Sequence, residues 1–332
     1  MHDYLIEMLV CPTCHGGLVW EVSERQGNTF VSGTAECSDC GTRYPVQEGI
    51  GVFLTPDLPR QDLWEEVESR LSTYLREHPD LERQLLETPL KELAPADQFF
   101  RSMILDERGE FAKAREAADT ARAGLYTREY LECSERQIEF ALQLLAADTA
   151  PVVDLASGMG HFVEHMARRL NRPIVATDFS PRVLRRDRRR FSFLGLEDRI
   201  SLLALDARRT PFRHGAVHTM TTYQGLLNIR EPGELLRELR RVVSGTLVAL
   251  TFFFPEEDAA NGALIQELGL TQMAYREPAL RQFREAGWTV QVAASWKGLA
   301  RPTPQSVLLE GAGIDALPAA ETTLEWCVLE AH

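Results

Sequence analysis

The hydrophobic pattern changes twice along this chain of 332 residues. Residues 1–55 hold short β-like runs between glycine-containing turns, as in a small hairpin module. Residues 56–149 place apolar side chains at helical spacing and predict about four helices. A four-residue repeat within this segment is carried by Leu63, Val67, Leu71 and Leu75.

The third region, residues 150–332, alternates apolar runs with polar helical segments, which indicates βαβ units. Its strand-like runs are 151–156, 173–177, 200–205, 216–222, 246–254, 288–294 and 324–329. We therefore expect an α/β fold with a doubly wound, mostly parallel sheet, in which the last run returns as an antiparallel strand. The three regions predict three domains.

Two CxxC pairs, Cys11/Cys14 and Cys37/Cys40, lie in the first region with 22 residues between them. Two such turns brought together place four thiolates around one Zn²⁺ ion. Because four thiolates fill the tetrahedral shell, we expect one structural zinc per chain, with no open position for substrate. The lone cysteines, Cys133 and Cys327, are better explained by core packing.

The segments MHDYLIEMLVCPTCHGGLVW and ECSDCGTRYPVQEGIGVFL resemble the small zinc-ribbon proteins that activate methyltransferases as separate subunits. The resemblance covers about residues 2–54. It implies that the ribbon docks on a methyltransferase domain of this same chain, and it leaves open whether the ribbon contacts substrate.

The segment VVDLASGMGHF at 152–162 predicts a buried strand, a loop of small residues and a helix. Gly158 and Gly160 permit a sharp turn and close approach to a ligand, and the helix N-terminus favours a carboxylate. Two further strands end in Asp178 and Asp206. A dinucleotide loop would read GxGxxG, but no third glycine is in register here.

This pattern resembles class I S-adenosylmethionine-dependent methyltransferases over roughly residues 150–255, with a seven-stranded Rossmann-like sheet. The resemblance implies that Asp154, Gly158 and Gly160 flank the methionine part of S-adenosyl-L-methionine, that Asp178 holds the ribose, and that Asp206 meets the adenine. Ala156 and Ser157 stand where many relatives carry glycine. The cofactor-binding residues predicted on this basis are Asp154, Ala156, Ser157, Gly158, Gly160, Asp178, Phe179, Asp206, Ala207 and Tyr223.

The strand at 216–222 leads into Tyr223 and Gln224, at the edge of the sheet where ligands bind in this fold. These two residues and His161 are the catalytic candidates. No Asn/Asp-Pro-Pro-aromatic run follows the strand, which argues against methylation of base amino groups, and the following segment resembles the small-molecule branch ("methyltransferase type 11"-like). The implied reaction is direct in-line transfer to an O, N or C nucleophile.

Several side chains have two possible explanations from sequence alone. Histidine is the commonest general base, but an isolated histidine is more often structural; the candidates are His161, His165, His214 and His218. Tyr126, Tyr130 and Phe140 line the pocket or pack in the core. The arginine-rich run 181–190 is better explained as a helix face matched to the acidic segment than as a phosphate-binding face.

Charge and composition bound the function. The net charge is −13, and only residues 151–250 are basic, with 17 basic and 10 acidic side chains. A bulk RNA substrate is therefore disfavoured. The first residues lack a signal-peptide pattern and no apolar run approaches ~20 residues, so we expect a cytoplasmic protein without a membrane span.

We expect a methyltransferase acting on a small-molecule acceptor. One alternative is an RNA methyltransferase, since bacterial ribosomal-RNA guanine methyltransferases also begin with a zinc ribbon. A second is a non-catalytic partner protein that binds the cofactor. The predicted domains are a zinc ribbon at 1–55, a helical lid at 56–149 and a methyltransferase domain at 150–332.

Overall fold

The computed structural model describes residues 1–55 and 71–332. Within them, eleven strands form one sheet in the order β1-β2-β3-β4-β7-β6-β5-β8-β9-β11-β10. Two members of the predicted helical repeat, Leu63 and Val67, lie outside the described residues. The other two, Leu71 and Leu75, lie in helical residues 71–77.

The N-terminal module is an antiparallel meander that follows a short 3-10 helix, Asp3–Met8. Its strands are β1 (Leu18–Gln26), β2 (Thr29–Cys37), β3 (Arg43–Gln47) and β4 (Ile50–Phe53). Glycines allow the tight turns: Gly27 and Gly49 have φ of 58° and 74°, a region that other residues rarely adopt. This module is the predicted β-rich ribbon.

The second region is helical, as its periodicity predicts. Its described helices are α1 (Pro79–Glu87), α2 (Pro95–Glu107), α3 (Phe111–Leu125) and α4 (Arg128–Leu145). Prolines start α1 and α2 because the first helical position needs no N–H partner. The amide of Gln137 fixes α4 to the sheet by donating to the carbonyls of Thr251 and Cys327, both at 2.6 Å.

The third region is the predicted α/β unit. Its strands are β5 (Val152–Asp154), β6 (Ile174–Asp178), β7 (Ile200–Leu205), β8 (Val217–Tyr223), β9 (Val243–Phe253), β10 (Val290–Ala300) and β11 (Thr322–Ala331). Its helices are α5 (His161–Arg169), α6 (Pro181–Phe193), α7 (Pro232–Val242), α8 (Ala259–Glu267), α9 (Thr271–Ala274) and α10 (Arg276–Glu285). Strands β5 to β9 run parallel, and β11 inserts antiparallel between β9 and β10. The antiparallel return of the last run is thereby confirmed.

Helices cover both faces of this sheet. On one face, α4, α5 and α6 bury apolar residues against β5, β6 and β7, whereas α7 and α10 bury theirs on the other. The doubly wound architecture is therefore confirmed. Both lone cysteines, Cys133 and Cys327, are buried in apolar clusters, as expected.

The ribbon and the α/β unit share one sheet, which corrects the predicted count of seven strands. The seven predicted strands are present, but β4 pairs in parallel with β7, from Ile50 opposite Leu202 to Phe53 opposite Leu205, so that the ribbon adds four more. The apolar cores also merge: Leu9 and Phe30 of the ribbon are fully buried in the same cluster as Phe212. Parallel pairing satisfies the open edge of β7, which would otherwise present unpaired backbone groups.

The connection between β10 and β11, residues 301–321, folds over α2. The carboxylate of Asp97, almost fully buried on α2, accepts a hydrogen bond from the Ser306 hydroxyl and others from the backbone N–H groups of Val307 and Leu308. The connection is thus fixed to the helical region above the sheet. Across 1–55 and 71–332, the helices lack the length and apolarity needed to cross a membrane.

Candidate functional site

The four cysteines of the ribbon converge as predicted. Their sulfur atoms lie within 4.8 Å of one another; Cys11 Sγ is 3.6 Å from Cys40 Sγ, and Cys14 Sγ is 3.4 Å from Cys37 Sγ. Four ligands 2.3 Å from a tetrahedral zinc ion would lie about 3.8 Å apart. The sulfur arrangement therefore fits one Zn²⁺ ion without rearrangement of the fold.

Neighbouring polar groups orient these sulfurs. The Tyr44 hydroxyl lies 3.2 Å from Cys11 Sγ and 3.0 Å from Thr13 Oγ1, and the Thr42 hydroxyl lies 3.2 Å from Cys40 Sγ. A Cβ on Gly16 would lie 2.9 Å from Cys37 Sγ, so only glycine fits there. Such outer contacts fix ligand orientation at metal sites.

The loop between β5 and α5 has the strained backbone expected of a ligand-binding turn. Ala156, Gly158 and Gly160 have φ of 55°, 53° and 62°. Ser157 fastens the loop to β6: its N–H donates to the Thr177 carbonyl at 2.8 Å, and its hydroxyl accepts from the Thr177 N–H at 3.1 Å. Ala156 thus adopts the backbone conformation of a glycine-rich loop, and the hydrogen bonds of Ser157 stiffen that loop.

Asp154, at the end of β5, lies inside the sheet and is almost fully buried. One carboxylate oxygen accepts a hydrogen bond from the Thr221 hydroxyl of β8 at 2.8 Å. Burial raises the pKa of Asp154 to about 7. The side chain therefore connects the two strands beneath the loop, and its contribution to the predicted methionine site is to support that loop.

Asp178 lies where β6, the glycine loop and helix α6 meet. Its carboxylate accepts hydrogen bonds from the N–H groups of Gly158 at 2.9 Å and Ser180 at 3.0 Å. The Ser180 hydroxyl caps α6 by accepting from the Val183 N–H, and Phe179 beside it is half-buried. This is the strand-end position that the sequence assigns to the ribose.

Asp206, after β7, has a partner that the sequence analysis missed. The Arg208 guanidinium contacts both carboxylate oxygens, at 3.0 and 2.8 Å, and also contacts Glu231 at 2.8 Å. Ala207, between the two, is half-buried. The Asp206 carboxylate is therefore occupied by Arg208 at the edge of the sheet where the adenine is expected. Ala207, the next residue, is the more accessible candidate for contact with the adenine.

The ends of β5 and β8 are tightly apposed. A Cβ on Gly225 would lie 2.6 Å from the Thr222 hydroxyl and 2.9 Å from the Ala156 Cβ. Within the described residues, the buried Thr222 hydroxyl has no hydrogen-bond partner. A buried polar atom without a partner beside a glycine-lined turn is typical of a ligand site. This junction fits the amino-acid part of S-adenosylmethionine.

Of the catalytic candidates, Tyr223 and His161 come together. Their rings lie 6.0 Å apart, and the Tyr223 hydroxyl lies 2.9 Å from the hydroxyl of Ser134 on α4. His161 is exposed, yet desolvation by surrounding protein, with a smaller effect of His165, lowers its pKa to about 4. This ring is therefore neutral near pH 7. Gln224 has φ 57° and is half-buried.

A histidine at the start of a helix has two structural roles: it caps the helix or it lies in solvent. Gly160 is the N-cap of α5, and no side chain caps this end, so the capping explanation is wrong. His214 and His218 lie before and early in β8, at the opposite edge of the sheet, and both are exposed. Of the four candidates, His161 lies beside Tyr223, and His165 contacts the His161 ring, with centroids 4.7 Å apart.

A tyrosine-rich cluster, formed by Tyr126, Tyr130, Tyr223, His161 and Asp315, lies beside the end of β8. The rings of Tyr126 and Tyr130 stack at 4.4 Å, and the Tyr126 hydroxyl donates to Asp315 at 3.0 Å. Desolvation raises the pKa values of both tyrosines, and the charge of Asp315 raises them further. No sequence pattern identified Asp315, in the 301–321 connection, as a candidate site residue.

Phe140 does not belong to this cluster. Its ring packs edge-on against Trp296 at 6.1 Å, within the cluster beneath α4. The core-packing explanation is therefore confirmed for Phe140. Tyr126 and Tyr130, both half-buried, also pack against apolar clusters.

The arginine-rich helix α6 is matched to acidic groups, as expected. Arg182 pairs with Glu107 at 3.2 Å, and the buried Arg186 pairs with Asp106 at 3.2 Å, both acidic residues of α2. Another residue of α6, Arg190, donates to the Met159 carbonyl of the glycine loop. This helix therefore fastens the lid and the loop together.

Comparison with known proteins finds matches in two separate parts of the chain. Residues 152–245 match the family model described as a methyltransferase domain, and residues 2–49 match the model of Trm112p-like proteins. A UPF0434 protein of Methylobacillus flagellatus is 36% identical over 68 residues, which are 20% of this chain and all of that protein. A UPF0434 protein of Erwinia tasmaniensis is 33% identical over 79 residues, 24% of this chain and all of that protein.

Among solved structures, the YcgJ protein of Bacillus subtilis is similar with a TM-score of 0.47 and 12% identity, covering 59% of this chain and 97% of that one. The two family matches coincide with the cysteine ribbon and with the strand-end site, respectively. The chain therefore belongs through its N-terminal ribbon to the Trm112p-like (UPF0434) family, and it joins that ribbon to a class I methyltransferase domain in one polypeptide.

Proposed function

We propose that this methyltransferase transfers the methyl group of S-adenosylmethionine to an O, N or C nucleophile of a small molecule. The observation that carries the proposal is the tyrosine-rich cluster at the end of β8. It brings together side chains of α3, α4 and the 301–321 connection beside the end of that strand. Aromatic side chains with a few convergent polar groups are typical of small-molecule sites.

The charges of the surface support a small acceptor over RNA. An RNA-binding face needs arginines directed to solvent, where they can neutralise phosphates. On α6, the most arginine-rich helix, Arg182 and Arg186 contact acidic groups of the lid, and Arg188 contacts Glu48 of the ribbon. These contacts compete with phosphate binding.

The proposed domain roles follow the sequence boundaries. Residues 1–55 stabilise the edge of the sheet, the described helices between residues 71 and 149 cover the crevice, and residues 150–332 hold the cofactor and the acceptor. S-adenosylmethionine supplies an activated methyl group on a sulfonium centre. The chain's own contribution is to orient this group: Asp178 accepts hydrogen bonds from the ribose, and the glycine loop and the N-terminus of α5 receive the methionine carboxylate.

Around the acceptor, the residues of the tyrosine-rich cluster exclude water and set the direction of attack. Tyr223 is fixed by Ser134, so its ring forms a rigid wall beside the methyl position. His161 is neutral near pH 7 because its pKa is lowered to about 4, and it accepts a hydrogen bond or a proton only weakly. Positioning of the two reactants therefore supplies most of the rate enhancement.

Cofactor binding by calorimetry tests the proposal. Asp178→Ala removes the acceptor of the ribose hydrogen bonds, and two such bonds to a charged group contribute about 1.5–3 kcal/mol each, so affinity should fall at least tenfold. Asp119→Ala is the matched control, since Asp119 is exposed on α3. Unchanged affinity in Asp178→Ala, or no binding by the wild-type protein, would contradict the proposal.

A second measurement separates the two acceptor classes. Fluorescence anisotropy of a labelled ribosomal-RNA fragment is recorded against salt concentration. A small-molecule enzyme should bind it weakly and without preference over other RNA, whereas an RNA enzyme should bind tightly and with a steep salt dependence. The second result would overturn the small-acceptor proposal and leave cofactor binding intact.

A further inference from the structure

A buried charge network connects the lid to the glycine loop. Its members are Asp106 on α2 and Arg186, Asp187 and Arg190 on α6. The first three side chains are at most 8% exposed, and that of Arg190 is 13% exposed. At its far end, the Arg190 guanidinium donates a hydrogen bond to the Met159 carbonyl of the glycine loop. An acidic residue of the lid is thereby linked to the backbone that receives the cofactor.

The members of this network depend on one another. Asp106 Oδ2 lies 3.2 Å from Arg186 Nε. Asp187 Oδ1 lies 3.2 Å from Arg186 Nη2 and 3.3 Å from Arg190 Nη2, so one oxygen joins the two arginines. Burial raises the pKa of both carboxyl groups, and the charges of the two arginines oppose that rise. The loss of one member should therefore change the positions or charges of the others.

One peptide group of the glycine loop is held at both ends. The Met159 carbonyl accepts from Arg190, and the N–H of the same peptide group, that of Gly160, donates to the Ser157 carbonyl at 2.8 Å. A Cβ on Gly160 would lie 2.8 Å from Arg190 Nη2 and 3.2 Å from Asp187 Oδ2, so both side chains pack directly against the loop. Gly160 is also the N-cap of α5. This peptide group therefore sets the direction of the first N–H groups of α5, which have no intrahelical acceptors.

We propose that Arg190 is a positioning residue for the methionine part of S-adenosylmethionine, and that Asp106 of the lid sets its position through the buried charge network. This inference rests on the proposed cofactor site at the glycine loop. Stability alone is a weak reason for such a network, because replacing buried ion pairs with apolar side chains is often neutral or stabilising. A fixed peptide direction, by contrast, preorganises the N–H groups that receive the methionine carboxylate. Arg190 acts through the Met159 carbonyl rather than by contact with the cofactor.

Two ligands separate this role from a general loss of stability. Full-length protein is titrated by calorimetry with S-adenosylmethionine and with 5′-methylthioadenosine, which lacks the amino-acid part. Arg190→Met should weaken binding of S-adenosylmethionine about tenfold, as expected for a lost charge-assisted hydrogen bond, and leave that of 5′-methylthioadenosine within about twofold. Arg190→Lys keeps the charge and a donor, and should recover part of the loss. Arg185→Met, at an exposed position of the same helix, is the matched control and should change neither affinity.

The contribution of the lid is tested by a second variant. Asp106→Asn keeps the size of the side chain and removes its charge, so Arg186 should move toward Asp187 and compete with Arg190 for the shared oxygen. S-adenosylmethionine should then bind about threefold more weakly, a typical size for coupling through a network, and 5′-methylthioadenosine should bind as before. In the double variant with Arg190→Met, the effect of Asp106→Asn should disappear, because the two residues act through one network. Asp119→Asn, at an exposed position on α3, is the matched control.

Three results would overturn the inference. If Arg190→Met weakens both ligands equally, the network only stabilises the fold. If Asp106→Asn leaves the affinity for S-adenosylmethionine unchanged, or if its effect adds fully to that of Arg190→Met, the lid does not act through Arg190. Each ratio compares two ligands on the same folded molecules, so a less stable variant lowers the binding stoichiometry without changing the ratio. Absence of S-adenosylmethionine binding by the wild-type protein would instead contradict the proposed function itself.

Discussion

Phe53 lies at the end of β4, where the ribbon joins the methyltransferase sheet. Its side chain is fully buried, stacks on Tyr44 with ring centroids 5.4 Å apart, and meets Trp20 edge-on at 6.2 Å. Its backbone pairs with Leu205 of β7. Phe53→Ala therefore removes a ring from the core that the two domains share.

The expected cost is large. An aromatic side chain buries about 150–250 Å², and at about 25 cal/mol per Å² this corresponds to about 4–6 kcal/mol. Substitutions of buried phenylalanine by alanine cost about 3–5 kcal/mol, so about 4 kcal/mol is expected here. For a chain of this size, such a loss lowers the melting temperature by roughly 10 °C.

Thermal unfolding followed by tryptophan fluorescence and by cofactor binding provides the assay. Because β4 and β7 belong to one sheet, both signals should shift together in Phe53→Ala. Val19→Ala is the control, since Val19 is 64% exposed on β1, and its effect should stay below about 0.5 kcal/mol. If the cofactor-binding signal melts at the wild-type temperature while only the ribbon unfolds, the reasoning from a shared core is refuted.

Asp154 holds its proton more tightly in the folded chain, with a pKa of about 7, than in the unfolded chain, so the free energy of unfolding should fall from about pH 4 to pH 7. Asp154→Asn should make the free energy of unfolding, measured by urea titration, less dependent on pH over this range. An unchanged pH dependence in the variant would contradict this prediction. Gly160→Ala places a Cβ 2.8 Å from Arg190 Nη2, and Gly160 has a φ of 62°. The substitution should therefore lower the free energy of unfolding by about 2 kcal/mol and weaken cofactor binding. Stability and affinity equal to those of the wild-type protein would contradict this steric argument. Chelation should remove one zinc ion per chain and lower the melting temperature of the whole protein, and a metal-free but fully stable protein would exclude the zinc ribbon.

The sequence predicts local features well because they depend on short-range spacing. The two CxxC turns require only neighbouring residues to place their thiolates, and the four sulfurs converge accordingly. The alternation of strands and helices after residue 150 likewise brings Asp154, Asp178 and Asp206 to three adjacent strand ends. These assignments need no knowledge of distant contacts.

The partners of these residues were harder to predict. Asp206 contacts Arg208, two residues away. This contact depends on the geometry of the turn between them, which the spacing of the residues does not reveal. Tyr126 meets Asp315 across 189 positions, in a segment without periodicity. Contacts between residues so far apart in sequence follow from how the lid and the 301–321 connection pack on the sheet.

The sequence by itself thus determined the cysteine quartet, the glycine loop and the α/β alternation, because each is encoded in residues that are close together along the chain. Only the tertiary structure decided that β4 pairs with β7 and that α6 is neutralised by α2 and the ribbon. The physical reason is that strand pairing, burial and charge compensation depend on which surfaces of the chain pack together. The sequence pattern identifies apolar and charged surfaces, but it does not specify which of them come into contact.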